Sequence, residues 1–435
     1  MPATRPAAVA TPRIARVYGA VNIGSFRISA MVAGLTETGE LVVLGSGHRA
    51  AQGIKRGYVA DMAAATYAVR DAIDRAEKMA NTSVQKVWIG CSGAGLASRV
   101  FQRDIEIGGG RIEEEDIEQL LVAANDAIQP DGRVVLHAQP AHYWLDGAHG
   151  VANPRGLHAE RLGVDVHLML ADGAPVRNLT ETVQNAHLDV AAVVASPIAA
   201  GHACLSPEER DLGVALVEFG AEVTTVAAYA GGMLVGLVTI PFGSGAITDA
   251  VASAFGIRRF QAERLKCVHG SAIASPADHR EMVPVNAPGE EVTGTSALHA
   301  DDKNRIPRAE LVSVVTTQLA RLMEDVSRAL KTLGFAGPQG AQMIVFTGGG
   351  AELTGLADYA QGALGRPVRI GRPQALKGLP DAHAVPGFTT LAGLVLYAAA
   401  DPVDIRSFGP SYQKTLRYSG IGLLTRIVHA VKTYF

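Results

Sequence analysis

Residues 212–242 read LGVALVEFGAEVTTVAAYAGGMLVGLVTIPF, and this stretch decides the fold. It contains three runs of β-branched and small apolar residues, separated by a turn at Gly220 and by the pair Gly231-Gly232. Two glycines between two such runs are a common signal of a tight β-hairpin. No charged residue occurs from Val223 to Thr248, but the repeated glycines predict a buried hairpin there and not a membrane span.

A second segment, Ala15–Gly47, follows the same plan of three strands. Its turns are predicted at Gly24-Ser25 and at Glu37–Glu40. A helix is predicted after each segment, the first capped by Asp61 and the second beginning near Ile247. A strand–strand–strand–helix unit that occurs twice in one chain predicts a duplicated α/β fold.

Composition excludes several classes of protein. The chain has 435 residues, 48% of them hydrophobic and 19% charged, which predicts more than one packed unit and excludes global disorder. A net charge of -3 gives no chain-wide attraction for polyanions, so no nucleic-acid partner is expected. Neither the three cysteines nor the histidines have metal-ligand spacing, so neither a metal site nor a disulfide framework is predicted.

A glycine loop is the main candidate for ligand binding. The predicted strand Met343–Phe346 runs into Gly348-Gly349-Gly350, where a backbone without Cβ atoms can approach a flat ligand or a phosphate. Tight strand-to-helix turns also use glycine, so both interpretations stay open. The sequence has no GxxxxGK[ST] motif, and Gly93-Ala94-Gly95 precedes a predicted strand at Val100–Ile107 where a dinucleotide fingerprint requires a helix. No catalytic residue set is recognised.

The last residues, 420–435, read GIGLLTRIVHAVKTYF and predict an amphipathic helix. It is too short and too charged to span a bilayer, but it fits a helix that lies among lipid headgroups. We expect membrane contact through its apolar residues and anionic-lipid contact through nearby basic residues, namely Ile421, Leu424, Ile427, Val428, Val431 and Phe435, with Arg417, Arg426 and Lys432. A final helix packed on the protein's own core is the alternative.

Five motifs together resemble the FtsA family of actin-like bacterial cell-division proteins, and the resemblance runs from about Val17 to the last residue. The motifs are Ile240–Gly243 with Ile247–Asp249, Ala262-Glu263 with Leu265-Lys266 and His269-Gly270, Phe346–Leu353, Pro386–Leu394, and Gly422–Leu424 with Arg426-Ile427.

The resemblance implies a duplicated actin-like (ribonuclease H-like) α/β fold. Two lobes would enclose a nucleotide cleft, with an inserted FtsA-type subdomain and a C-terminal amphipathic helix. The expected parts are a disordered leader (1–13), the first-lobe core (14–81, 166–210 and 385–400), the inserted subdomain (82–165), the second-lobe core (211–250 and 332–384), the small subdomain of the second lobe (251–331), a linker (401–419) and the membrane-targeting helix (420–435).

The resemblance also implies a function. Such a protein tethers filaments of the tubulin-like protein FtsZ to the cytoplasmic face of the inner membrane at the division site. The implied partners are the C-terminal peptide of FtsZ (through about 251–331), a second copy in a head-to-tail filament, anionic membrane lipids and later division proteins. Two alternatives are weighed: a small-molecule kinase of the same superfold, and an actin-like adaptor of another envelope machine such as pilus assembly.

Nucleotide binding is expected to be impaired. The family's phosphate loops usually read Asp-Ile-Gly-Thr-x-Lys and Asp-Ile-Gly-Gly-Gly-Thr-Thr-Asp, whereas residues 22–27 read NIGSFR and residues 218–225 read EFGAEVTT. Asn22 cannot help to hold Mg²⁺ as a carboxylate would, and Glu222 adds a negative charge where phosphates would approach.

We therefore expect ATP with Mg²⁺ to bind weakly or not at all, and weak ATPase activity at most. In the alternative, the backbone alone still cradles phosphate and Arg27 replaces the family's lysine. The nucleotide-binding residues that the resemblance implies are Gly24, Ser25, Arg27, Gly220, Glu263, Lys266, Gly348, Gly349 and Gly350.

Overall fold

The computed structural model describes residues 13–93, 95–286, 305–335 and 342–408. The strands are β1 (Ile14–Ile23), β2 (Arg27–Thr36), β3 (Leu41–Ala50), β4 (Ile54–Lys55), β5 (Tyr58–Val59), β6 (Lys86–Cys91), β7 (Ala97–Glu106), β8 (Val134–Leu145), β9 (Ala148–Val151), β10 (Arg161–Ala171), β11 (Asp189–Ala195), β12 (Val214–Phe219), β13 (Thr224–Ala230), β14 (Met233–Ile240), β15 (Met282–Pro284), β16 (Arg305–Pro307), β17 (Met343–Thr347) and β18 (Val368–Ile370).

The helices of the described residues are α1 (Met62–Ala80), α2 (Glu114–Asp126), α3 (Gly173–Asn185), α4 (Ser196–Cys204), α5 (Pro207–Leu212), α6 (Ser244–Phe255), α7 (Arg259–His269), α8 (Arg308–Thr332), α9 (Leu356–Leu364) and α10 (Thr389–Ala400). Of the predicted apolar face of α1, Met79 near the end of the helix is 54% exposed, whereas six residues are buried, namely Ala65, Ala68, Val69, Ala72, Ile73 and Ala76. The N-terminus of α1 is capped by Asp61, which accepts from the N–H of Ala64.

The first lobe is built on a five-stranded sheet of order β3-β2-β1-β6-β11. The first three strands are antiparallel, and β1, β6 and β11 are parallel to one another. Helix α1 packs directly on β3, where a Cβ at Gly45 would lie 2.2 Å from the carbonyl oxygen of Ala76. Glycine on the strand and alanine on the helix therefore let the two backbones approach closely.

The second lobe repeats this sheet. Its order is β14-β13-β12-β17-β18, with the same pattern of antiparallel and parallel pairs. The predicted hairpin is confirmed, since β13 and β14 are joined by Gly231 and Gly232 with φ angles of 58° and 80°. Glycine adopts these left-handed angles without steric cost. The duplicated α/β fold predicted from the sequence is confirmed.

A separate four-stranded sheet, of order β7-β10-β8-β9, forms the inserted subdomain together with α2. The expected start of this insert at residue 82 is too early, because β6 pairs with β1 and β11 in the first-lobe sheet. The expected end at residue 165 is also too early, because β10 continues to pair with β7 and β8 as far as Ala171.

The segment after α10 packs onto the inserted subdomain. Ile405 and Phe408 are buried in the core of that subdomain. Arg406 donates to the carbonyl oxygens of Val135 (2.6 Å) and Leu136 (2.7 Å) on β8. The expectation that a linker begins at residue 401 is therefore wrong for residues 401–408. The expected membrane helix, 420–435, and the rest of the expected linker lie outside the described residues, as do residues 1–12 of the expected leader.

Within the described chain, one helical stretch, Pro386–Phe408, is long and apolar enough to cross a membrane. Its most apolar window is 61% buried inside the protein. Helix α10 packs so tightly on α4 that a Cβ at Gly393 would lie 1.8 Å from the carbonyl oxygen of Ala199. We therefore interpret α10, within this stretch, as a core helix of the first lobe and not as a membrane anchor.

Candidate functional site

A cleft of about 340 Å³ lies between the two lobes. Three segments line it: the first loop (residues 22–27) after β1, the second loop (residues 218–225) at the end of β12, and the glycine loop (residues 347–353) after β17. Residues of α6 and α7 complete the wall. The structure brings together in this cleft all the nucleotide-binding residues predicted from the sequence, namely Gly24, Ser25, Arg27, Gly220, Glu263, Lys266, Gly348, Gly349 and Gly350.

The first loop is held by contacts within the first lobe. The N–H of Gly24 donates to the carbonyl oxygen of Arg27 (3.2 Å), and Ser25 Oγ accepts from the N–H of Gly57 (3.1 Å). Arg27 Nη2 donates to the carbonyl oxygen of Gly387 (3.1 Å), and its guanidinium carbon lies 3.9 Å from the centre of the Phe388 ring. Burial lowers the pKa of Arg27. Its guanidinium is thus held against the turn before α10.

The second loop places a partly buried carboxyl at the floor of the cleft. Glu218 accepts hydrogen bonds from Ser196 Oγ (2.5 Å) and Thr390 Oγ1 (2.6 Å). Both donors belong to first-lobe helices, so Glu218 bridges the lobes. Burial raises the pKa of Glu218, and the two hydroxyl donors oppose that effect. This bridge could not be predicted from the sequence, because a single serine and a single threonine form no recognisable pattern.

At the rim of the cleft, the carboxylate of Glu222 accepts from the backbone N–H of Arg56, which lies at the tip of the β4–β5 hairpin of the first lobe. The carbonyl oxygens of Gly220 and Ala221 accept from the N–H groups of Ser244 (2.9 Å) and Gly245 (2.7 Å). Those two N–H groups open helix α6, so the second loop caps donors that could otherwise bind an anion.

The opposite wall carries an ion pair on α7. Lys266 Nζ donates to Glu263 Oε2 (2.8 Å), Thr248 Oγ1 (2.9 Å) and the carbonyl oxygen of Ser244 (3.2 Å). An ammonium group has three N–H donors, and these contacts use all of them. Burial works to raise the pKa of Glu263, but the charge of Lys266 holds that pKa below its ordinary value. The charge of Lys266 thus favours the carboxylate form of Glu263.

The three glycines of the glycine loop have different roles. Gly348 has a φ angle of +85°, and a Cβ there would lie 2.7 Å from the carbonyl oxygen of Phe219. A Cβ at Gly350 would lie 2.5 Å from the Phe219 ring. A Cβ at Gly349 would meet nothing within 4 Å. Packing thus requires the first and third glycines, and Gly349 is the one that faces open space.

The histidines of the inserted subdomain do not form a metal site. In the described part of the chain, no group of three His, Cys, Asp or Glu residues could hold a metal ion. His137 is buried, where its Nε2 accepts from the N–H of Ala195 (3.0 Å) and its Nδ1 lies 2.9 Å from the hydroxyl of Tyr397. Burial lowers its pKa to about 3. His137 and His167, which bonds to Ser98, are hydrogen-bonded core residues.

Comparison with known proteins decides the family. "Cell division protein FtsA" of Rhizobium meliloti (strain 1021) is 34% identical to this chain over 410 residues, which cover 92% of this chain and 91% of the relative. The protein of the same name from Agrobacterium fabrum is 33% identical over 401 residues, or 90% and 89% of the two chains. The chain belongs to the FtsA family. It is a cell-division protein with an actin-like fold.

Two family models agree with the architecture. The one described as "Cell division protein FtsA" matches residues 215–393, and the one described as "SHS2 domain inserted in FTSA" matches residues 93–170. The second range coincides with β7–β10 and α2. Among solved structures, the PilM-PilN type IV pilus biogenesis complex has a TM-score of 0.60 at 16% identity, with 88% of this chain and 98% of that chain covered. That likeness shows a shared fold.

Proposed function

We propose that this chain is a membrane-anchored scaffold of the division ring. It tethers FtsZ filaments to the cytoplasmic face of the inner membrane, associates with itself head to tail and helps to recruit later division proteins. Membership of the FtsA family supports the role in division. One observation favours a scaffold role over an enzymatic one. In the cleft, Glu218 and Glu222 belong to the loop that a small-molecule kinase would use to bind phosphate, and both are hydrogen-bonded to the first lobe.

The small subdomain of the second lobe, residues 251–331, is the proposed contact for the C-terminal peptide of FtsZ. Four large apolar side chains are exposed close together in its sequence: Phe260 (54% exposed), Val268 (63%), Ile273 and Met282. Exposed apolar side chains can contribute to an interaction surface. We assign the FtsZ peptide to this subdomain, with these four side chains as candidate contacts.

We propose that the cleft binds Mg-ATP weakly or not at all, and that the protein has no useful ATPase activity. Asn22 replaces the carboxylate expected near Mg²⁺, and Glu222 adds a negative charge beside the phosphate position. Arg27, the candidate replacement for the family's lysine, is already bound to Gly387 and stacked on Phe388. A micromolar or tighter dissociation constant for Mg-ATP would contradict this part of the proposal.

The proposed organisation follows the structure where it differs from the expectation. The parts are the first lobe (14–92, 172–210 and 385–400), the inserted subdomain (93–171, with 401–408 packed on it), the second-lobe core (211–250 and 332–384), its small subdomain (251–331) and the membrane-targeting helix (420–435). That helix would contact lipid tails with its apolar face and anionic headgroups with Arg417, Arg426 and Lys432.

The test is flotation of GTP-assembled FtsZ filaments with anionic liposomes, in the presence of the full-length protein or of a version that ends at Ser419. We expect only the full-length protein to carry filaments up with the lipid. Ile427→Glu should abolish flotation because it places a charge on the apolar face, whereas Thr425→Glu adds the same charge outside the predicted apolar set. If the full-length protein floats with the liposomes but the filaments do not, the proposed tethering of FtsZ is wrong. If the Ile427→Glu variant still floats with the liposomes, the assignment of residues 420–435 as the membrane-targeting helix is wrong.

A further inference from the structure

The β4–β5 hairpin carries the features of a small anion seat. Its two turn residues, Arg56 and Gly57, have φ angles of 52° and 78°, both in the left-handed region. Consecutive backbone N–H groups in a turn of this kind form a concavity that binds anions. Both N–H groups donate on the cleft side: that of Gly57 to Ser25 Oγ of the first loop (3.1 Å), and that of Arg56 to the carboxylate of Glu222.

The carboxylate bound at this turn, that of Glu222, comes from the other lobe. Glu222 belongs to the second loop, and Arg56 belongs to the first lobe, so their hydrogen bond spans the mouth of the cleft. A carboxylate offers the same acceptor chemistry as a phosphate oxygen, namely a charged oxygen that receives a backbone N–H. Glu218 makes a second inter-lobe bridge at the floor of the cleft. The same loop therefore ties the lobes together at two depths.

The cations that line the cleft do not compete for Glu222. Lys266 spends its donors on Glu263, Thr248 and the Ser244 carbonyl, and Arg27 is bound to Gly387. Arg259 donates through Nε to Asp249 (2.7 Å). An incoming phosphate would therefore meet the negative charge of Glu222, and Lys266 has no N–H donor left to offer it.

We propose that the Arg56–Gly57 turn is an oxyanion-binding site and that Glu222 is its built-in ligand, which holds the two lobes closed without a phosphate. This inference deepens the nucleotide part of the proposed function, on which it rests. It assigns the site a ligand class, a single tetrahedral or planar oxyanion, and it makes Glu222 the residue that excludes such anions. Removal of Glu222 opens the seat to an external anion.

The test uses hydrogen exchange of the full-length protein, with and without millimolar inorganic phosphate, read on the peptide that covers Ile54–Val59. In the wild-type protein we expect slow exchange that phosphate does not change. In Glu222→Ala, exchange should rise about tenfold because one charge-assisted hydrogen bond is lost, and phosphate should restore protection. Glu222→Gln keeps an acceptor without the charge, so its exchange should lie between the two.

Glu118→Ala on the exposed face of α2 is the matched control, and it should behave as the wild-type protein does. Unchanged exchange in both Glu222 variants would contradict the role of Glu222 in holding the lobes closed. If phosphate does not protect Glu222→Ala, the proposed oxyanion-binding site is wrong. Tight binding of Mg-ATP by the wild-type protein is a separate result that would contradict the proposed weak nucleotide binding. Failure of the oxyanion-site proposal and failure of the proposed weak nucleotide binding can therefore be told apart.

Discussion

The two sides of the cleft differ in what fills them. On the side of the second loop, Glu218 and Glu222 accept hydrogen bonds from the first lobe, so the chain's own carboxylates occupy the space between the lobes. On the side of α7 and the glycine loop, the Glu263–Lys266 pair is prebuilt and Gly349 faces open space. One half of the cleft thus keeps the shape of a ligand site, and the other half holds the lobes together.

The largest expected effect on stability is that of Gly348→Val in the glycine loop, on the side of the cleft that includes α7. The φ angle of +85° and the carbonyl oxygen of Phe219 leave no room for a β-branched side chain. We expect a loss of about 3 kcal/mol in the free energy of unfolding, measured by urea denaturation. Gly349→Ala is the matched control, and it should change stability by less than about 0.5 kcal/mol. Equal losses of stability in the two variants would contradict the claim that packing requires glycine at position 348 but not at position 349.

The next effect concerns the ion pair of the same wall. Lys266→Met leaves the carboxylate of Glu263 without its cation and Thr248 without a donor. Because breaking a buried pair leaves an uncompensated charge, we expect a loss of about 2 kcal/mol at pH 7. The pKa of Glu263 in the folded protein is lowered from the ordinary value of 4.5, so the loss should be full above about pH 4.5 and should shrink as pH falls further, through that lowered pKa. A loss that does not shrink at any pH below 4.5 would contradict the assigned pair.

A smaller effect with the opposite pH dependence is expected on the bridged side. The folded-state pKa of Glu218 is raised above the ordinary value of 4.5, so its stabilising contribution is full below that value and is lost as pH rises through the folded pKa. Glu218→Gln removes this titration. The stability of the wild-type protein minus that of Glu218→Gln should therefore fall as pH rises from about 4, as measured by urea denaturation across pH 4 to 8. A difference that rises with pH would contradict the raised pKa.

Local sequence patterns predicted the parts that depend on near neighbours. The hairpin of β13 and β14 follows from two β-branched runs around Gly231-Gly232, and the apolar face of α1 follows from its spacing. The nine residues that the resemblance implies for nucleotide binding line one cleft in the structure, and their binding of nucleotide stays a prediction. Seven of them lie in the three loops after β1, β12 and β17, whereas Glu263 and Lys266 lie on α7.

Contacts between distant parts of the chain could not be predicted in this way. The segment 401–408 contains Pro402 and three scattered apolar residues, Val403, Ile405 and Phe408, so nothing in their spacing indicates that they pack in the core of the inserted subdomain. Strand β6 was placed in the insert because no local signal tells which sheet a strand will join. The bridge from Glu218 to Ser196 and Thr390 likewise depends on how the two lobes meet.

We propose that the chain's own carboxylates, Glu218 and Glu222, occupy the phosphate side of the cleft in place of a nucleotide phosphate. The most direct test of this proposal is calorimetric titration of the full-length protein with adenosine and, separately, with Mg-ATP. We expect the triphosphate to add no affinity, so that Mg-ATP binds no more tightly than adenosine and has a dissociation constant above the micromolar range. Micromolar or tighter binding of Mg-ATP, well above the affinity for adenosine, would contradict it.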